Sequence, residues 1–248
     1  MANLGAYRSI TQVGTVEPFE LQVSRGQIPG HEVFTVFGFA TAVSSTFVAV
    51  WENNAAYVFP TVASTMLLSS SSASDTAVTV QIDGLDANYN RVTELLTTNG
   101  TTGVTTANTY WRINSVLTTA GVALGTLTIK NVGGTTYAQV TIGNGRTNMG
   151  VFTVPAGYTI YQRQTDAWSS TSVTSGVFAT YRTLLVSNTG ISNIVMQAPF
   201  LNSISIERPY ALVIPEKVDV QFQCKSSGAG LNIGTLAIGV MIKNNFTS

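Results

Sequence analysis

Asp75-Thr76-Ala77-Val78-Thr79-Val80-Gln81-Ile82-Asp83-Gly84-Leu85-Asp86-Ala87-Asn88-Tyr89-Asn90 sets the reading of the whole chain. Val78, Val80 and Ile82 fall on one side of an extended backbone, with Thr79, Gln81 and Asp83 on the other. A period of two marks a half-buried strand. Val, Ile and Thr are stiff at the first side-chain torsion and suit a pleated surface better than a helix. Asp83-Gly84 reads as a turn, and Tyr89 to Leu96 as the return strand.

The same grammar extends in both directions. Upstream, Phe47 to Trp51 and Tyr57-Val58-Phe59 are short strand candidates, the second stopped by Pro60. Phe34 to Trp51 carries no charge, but Gly38 and several Thr and Ser residues interrupt it. It reads as buried strand rather than as a membrane span, which needs about 20 predominantly apolar residues. Ser69 to Ser74 is a low-complexity run expected to form a flexible loop.

Downstream, strands are expected at Tyr110–Val116, Thr126–Lys130, Tyr137–Ile142, Val151–Val154, Tyr158–Arg163, Val177–Val186, Ile191–Met196, Ser203–Ile206, Val218–Cys224 and Leu236–Ile242. Turn residues such as Asn99-Gly100, Gly133-Gly134 and Asn144-Gly145 punctuate them. Pro209 and Pro215 bracket Tyr210–Ile214, which suits an edge strand. No apolar stripe of helical period runs for three turns. The expectation is an all-β protein, an antiparallel β-sandwich of jelly-roll type with little helix. Residues 1–33 are expected to be an extended arm. Pro155-Ala156-Gly157 divides the rest into β-subdomains at 34–154 and 155–248.

Composition narrows the function. Only 10% of residues are charged, with 12 Lys and Arg against 12 Asp and Glu, where soluble domains average about 25%. Thr, Ser, Asn, Gln and Gly supply the missing polarity. A neutral surface lacks the repulsion that keeps copies apart. The basic residues are scattered singly, which argues against nucleic-acid binding. One cysteine, Cys224, cannot form an intramolecular disulfide and fits a reducing cytoplasm. Met1 to Ile10 has Arg8 but no apolar run after it, so no secretory leader is expected.

Catalytic chemistry has little to work with. The single histidine, His31, lies in a turn-rich stretch beside Pro29-Gly30, far from a serine or cysteine motif. Cys224 sits inside a strand beside Lys225, where a buried structural thiol is the simpler reading. Gly143-Asn144-Gly145 follows a strand but leads into another strand, so it is a turn and not a phosphate cradle. Asp83, Asp86, Asn88 and Asn90 have oxygen ligands at calcium-like spacing, but the bidentate Glu of such a loop is missing, and Asp and Asn favour tight turns. Trp51 and Trp111 read as core. Trp168, in the Ser/Thr-rich stretch 166–175, is the candidate for an exposed sugar-stacking surface. No catalytic, metal or cofactor-binding residues are assigned.

The opening stretch from Asp75 to Asn90 resembles a hairpin of phage virion structural proteins, many from cyanophages and marine phages. Val50-Trp51-Glu52 with Tyr57-Val58-Phe59-Pro60-Thr61, the Leu96–Thr101 turn, Trp111-Arg112-Ile113-Asn114, Val151–Gly157 and Ile214-Pro215-Glu216-Lys217-Val218-Asp219 fit the same pattern in the same order. The resemblance spans roughly residues 30–248 and carries no catalytic motif. It implies a capsid decoration (cement) protein on the outer surface of a phage head, made in the host cytoplasm, or else a tail, baseplate or head-fibre part that binds a glycan receptor. Expected partners are two further copies in a homotrimer and the major capsid protein, with no nucleic acid and no membrane.

Overall fold

The computed structural model describes residues 17–170, 177–228 and 230–245. Strand accounts for 56% and helix for 3% of the described residues. A six-residue helix α1 (Phe19–Ser24) precedes β1 (His31–Val43) and β2 (Val48–Ala49). Seven strands come next: β3 (Leu67–Ser70), β4 (Thr79–Leu85), β5 (Arg91–Thr97), β6 (Val104–Thr105), β7 (Arg112–Ala120), β8 (Leu127–Lys130) and β9 (Thr136–Val140). The last seven are β10 (Val151–Thr153), β11 (Tyr158–Ser169), β12 (Ala179–Val186), β13 (Ser192–Phe200), β14 (Ser203–Ile214), β15 (Asp219–Ser226) and β16 (Leu231–Lys243).

Strand order identifies the fold. One sheet runs β1-β16-β11-β14 and the facing sheet β10-β15-β12-β13, with β2 added to β15. Counting only β1 and β10 to β16, the orders become 1-8-3-6 and 2-7-4-5. That is the winding of a jelly roll, in which a long hairpin is rolled so that first pairs with last and each next pair nests inside. Every pairing is antiparallel. Phe34, Val36, Ile160, Tyr181, Phe222 and Ile233 fill the space between the two sheets.

β3 to β9 form a second sandwich, with β6-β3-β8-β9 in one sheet and β5-β4-β7 in the other. Its core includes Met66, Leu68, Ile82, Tyr110, Leu127 and Ile129. This sandwich is an insertion in the loop between the first two jelly-roll strands. The chain leaves and returns side by side: Trp51 pairs with Met149, and the Gly150 amide donates to the Val50 carbonyl at 2.7 Å. Gly38 of β1 makes this neck possible, since a Cβ there would lie 2.2 Å from the Val50 oxygen.

Several expectations are therefore corrected. Strand pairing groups residues 31–51 with 149–243 around one core and places 64–147 around another, in place of the halves 34–154 and 155–248. Pro155-Ala156-Gly157 is a corner inside the jelly roll. Of the expected arm, residues 1–16 lie outside the described residues; 19–24 are helix, and 31–33 open β1. Tyr57-Val58-Phe59 is not a strand, and its aromatic rings pack at the neck instead. Asp83-Gly84 remains in β4, with the turn at Asp86–Asn90. β14 runs through Pro209 by looping out between two ladder segments.

The serine run is anchored, contrary to expectation. Ser69 and Ser70 end β3, and the buried Asp75 carboxylate pins the loop beyond them. It accepts from the Ser70 hydroxyl at 2.6 Å and from the Leu124 and Gly125 amides at 2.9 and 3.0 Å. Burial pushes the Asp75 carboxyl up, but these three donors outweigh it and hold its pKa below the ordinary value. A carboxylate with a lowered folded-state pKa stabilises the fold above its unfolded pKa, near 4, and loses that contribution as pH falls through the folded value. Asp75→Asn is thus expected to lower the midpoint of urea unfolding at pH 7 and to shrink the gap from wild type as pH drops below about 4. A gap independent of pH would contradict this.

Candidate functional site

The two sandwiches meet at a buried charge pair. Arg112 opens β7 of the insert, and Asp219 opens β15 of the jelly roll. The guanidinium Nε and Nη2 donate to Oδ1 and Oδ2, both at 2.8 Å. Both side chains are less than a tenth exposed. Nη1 donates to the carbonyls of Pro60 and Trp111, both at 2.9 Å, and the Thr153 hydroxyl donates to Asp219. Rings of Phe59, Trp111 and Tyr89 lie 4.8, 5.7 and 5.8 Å from the guanidinium carbon. Burial pushes the phenol of neighbouring Tyr57 well above its usual range, partly countered by Arg112.

A second clamp lies beside the pair. Asn114 donates from Nδ2 to the Thr153 carbonyl and accepts from the Thr153 amide, each at 2.9 Å. This ties β7 to β10 as a strand neighbour would. Glu52 secures the neck by accepting from the Thr141 amide at 3.0 Å and from the Asn144 and Asn148 side chains. At the surface Arg91 spans the same seam, 2.9 Å from Glu32 and 4.1 Å above the Tyr158 ring. That exposed pair contributes about 1 kcal/mol or less.

The candidate residues from sequence are not brought together. The His31 ring packs edge-on against Phe19 with centroids 5.9 Å apart. Cys224 is fully buried, and burial raises its thiol pKa far above the usual value, which makes it unreactive. Gly143 and Gly145 occupy a turn at φ +86° and +68°. The Asp86 carboxylate accepts from the Asn88 and Asn90 amides and the Asn90 side chain, as a capped turn does. Asp83 points instead to Gln81, Thr93 and Ser115. Among the described residues no three His, Cys, Asp or Glu side chains converge for a metal. Trp51 is core, and Trp111 is half-buried with its indole N–H on the Pro60 carbonyl. Trp168 is half-buried too. It lies flat over Gly234, where a Cβ would sit 2.5 Å from its ring, and beside Phe37 at 5.9 Å.

Sequence reading missed two features. The Arg112–Asp219 pair joins residues 107 apart, beyond any local pattern. The other is the outward face of the β1-β16-β11-β14 sheet. Val33, Val240, Tyr161 and Val213 are successive cross-strand partners on that face, with Val33, Tyr161 and Val213 exposed by 48%, 37% and 52%. Ile238, Leu236 and Phe37 lie on the same face, in rows shared with Thr35, Gln164, Glu207 and Asp166. An outward sandwich face is ordinarily polar.

No family model matches the chain, and no curated protein matches it. Among solved structures, the infectious bursal disease virus Gx strain is 11% identical, over 95% of this chain and 80% of that one, with a TM-score of 0.28. The infectious bursal disease virus VP2 subviral particle is 13% identical, over 91% and 77%, with a TM-score of 0.23. The fold assignment rests on strand order and not on these loose superpositions.

Breaking one side of a buried pair leaves the other charge unpaired, at a cost of about 3–5 kcal/mol. Asp219→Asn should therefore lower the free energy of unfolding by about 3 kcal/mol or more in urea titration. Arg112→Met combined with Asp219→Leu should recover much of that loss. A double variant as weak as the sum of its singles would show that Arg112 and Asp219 are not coupled.

Proposed function

We propose that this chain is a structural subunit of a virus particle, and specifically a cement protein on the outer surface of a bacteriophage head. In this reading it is made in the host cytoplasm, forms a homotrimer and binds across neighbouring copies of the major capsid protein. The observation that carries the reading is a jelly roll with a second sandwich raised from its first loop. Jelly rolls build viral capsid subunits, and also lectins and cupins; fold alone does not choose among them. The side chains narrow the choice. Among the described residues no three His, Cys, Asp or Glu side chains converge, and Trp168 is half-buried beside Phe37.

The surface supports assembly. Val122, Leu124 and Val132 are 62% to 82% exposed on loops of the insert, in a chain with few charges to keep copies apart. Burying these side chains against a neighbouring subunit would remove apolar surface from water. A cement subunit works mechanically. It buries surface on two capsomers at once, and three linked subunits convert modest contacts into avid binding. Local threefold positions of a shell suit a cyclic trimer.

Quantitative mass spectrometry of purified particles tests the placement. Copies on the order of hundreds per particle are expected for a head lattice position. A few dozen would move the subunit to a tail, baseplate or head fibre, and absence from particles would overturn the reading. Native mass spectrometry of the isolated protein at micromolar concentration should find three chains, and a clean monomer would refute the stable trimer.

A further inference from the structure

We infer that the outward face of the β1-β16-β11-β14 sheet is the docking surface for this chain's own residues 1–16. This inference is independent of the virion reading. One row across this face is apolar where a sandwich is normally polar, and it is exposed at Val33, Tyr161 and Val213; Thr35, Gln164, Glu207 and Asp166 lie in the rows beside it. α1 already lies over one part of it. Phe19 packs on His31 of β1, and Glu20 reaches Arg163 of β11 at 3.1 Å. Between helix and sheet is a cavity of about 560 Å³, walled by the apolar Phe19, Ile238 and Val240 and by the charged Arg163, Glu207 and Arg208. The chain N-terminal to α1 therefore starts at the rim of this cavity, beside the apolar row.

The segment has the chemistry to fill it. Residues 1–16 carry one charge, Arg8, and place Leu4, Tyr7, Ile10, Val13 and Val16 at a spacing of three, a register that Phe19 continues. An extended threefold backbone puts every third side chain on one side. Its apolar ridge would face the sheet while Thr, Gln, Ser and Asn face water. At about 3.1 Å per residue, sixteen residues reach about 50 Å. Four strands spaced about 4.8 Å apart are only about 15 Å across. A second copy of the chain could cover the same face, but the N-terminal segment is already tethered at its edge through α1.

A photoreactive benzoylphenylalanine in place of Tyr161 in the full chain tests this. Irradiation should link position 161 to a residue within 1–16 of the same chain, read by tandem mass spectrometry on a product of single-chain mass. A cross-link to another part of the molecule, a product of doubled mass, or no cross-link overturns the inference. As a second measurement, the full-length triple variant Ile10→Asp, Val13→Asp, Val16→Asp should keep its β-type circular dichroism while binding of a hydrophobic dye rises severalfold. Unchanged dye binding would also overturn it. Particle copy number reports on the assembly reading alone, so the two can fail separately.

Discussion

Pairing of the first strand with the last is the constraint on which this structure rests. His31 to Ala40 of β1 lie in unbroken antiparallel register with Ile242 to Ile233 of β16. Nearby, the Ala42 amide donates to the side chain of Asn232, 190 residues away. Nothing local holds these strands together. The cost of closing so long a loop grows only with the logarithm of its length, about 0.6 kcal/mol per doubling. An inserted domain is therefore tolerated at little thermodynamic expense. Kinetically the order matters more, because long-range pairing is slow. The insert, whose strand pairs all fall within residues 64–147, can form while the jelly roll still waits for its last strand.

The Arg112–Asp219 pair then fixes how the two sandwiches sit. A buried ion pair is weak evidence for stability, since desolvation consumes most of the attraction. Its geometric demand is more informative. A planar guanidinium with five donors accepts few arrangements of carboxylate and carbonyl partners. Here it satisfies Asp219, Pro60 and Trp111 at once, and Thr153 completes the carboxylate. An apolar junction would tolerate sliding; this one specifies a single seat for the insert. The two sandwiches are thereby held in one fixed relation.

Alternation made the strands legible. Val78, Val80 and Ile82 are all buried in the insert core, as their period of two requires. Tyr210–Ile214, whose flanking prolines suit an edge strand, joins Ser203–Ile206 in the single strand β14, which does lie at a sheet edge. What sequence did not disclose is which strands pair. Pro155-Ala156-Gly157 carries every local sign of a boundary, yet β10 on one side and β11 on the other belong to the same jelly roll. The true boundary at Trp51 and Met149 has no composition change to mark it, because the neck is itself β-bridged and apolar. The serine run looked mobile because its anchor, Asp75, binds amides 49 and 50 residues away. Among the sequence candidates the chemistry was weak, and the structure disperses those residues; the apolar row was hidden because Val33, Val240, Tyr161 and Val213 come from four distant strands.

β13 and β14 are consecutive across the short turn at Leu201-Asn202 but join different sheets. The jelly roll thus has an open flank carrying two long unpaired edges, the arrangement most prone to runaway strand-by-strand stacking between molecules. Both edges are blunted. Pro199 removes an amide from β13, and Arg208 to Ala211 bow out of β14, with Pro209 in the bow and Tyr210 88% exposed at its crest. A flat ribbon cannot be laid against such a profile. Strand-by-strand growth into fibrils is thereby blocked, and whatever docks on this flank must be held by side chains, which can be selective, instead of by backbone, which cannot.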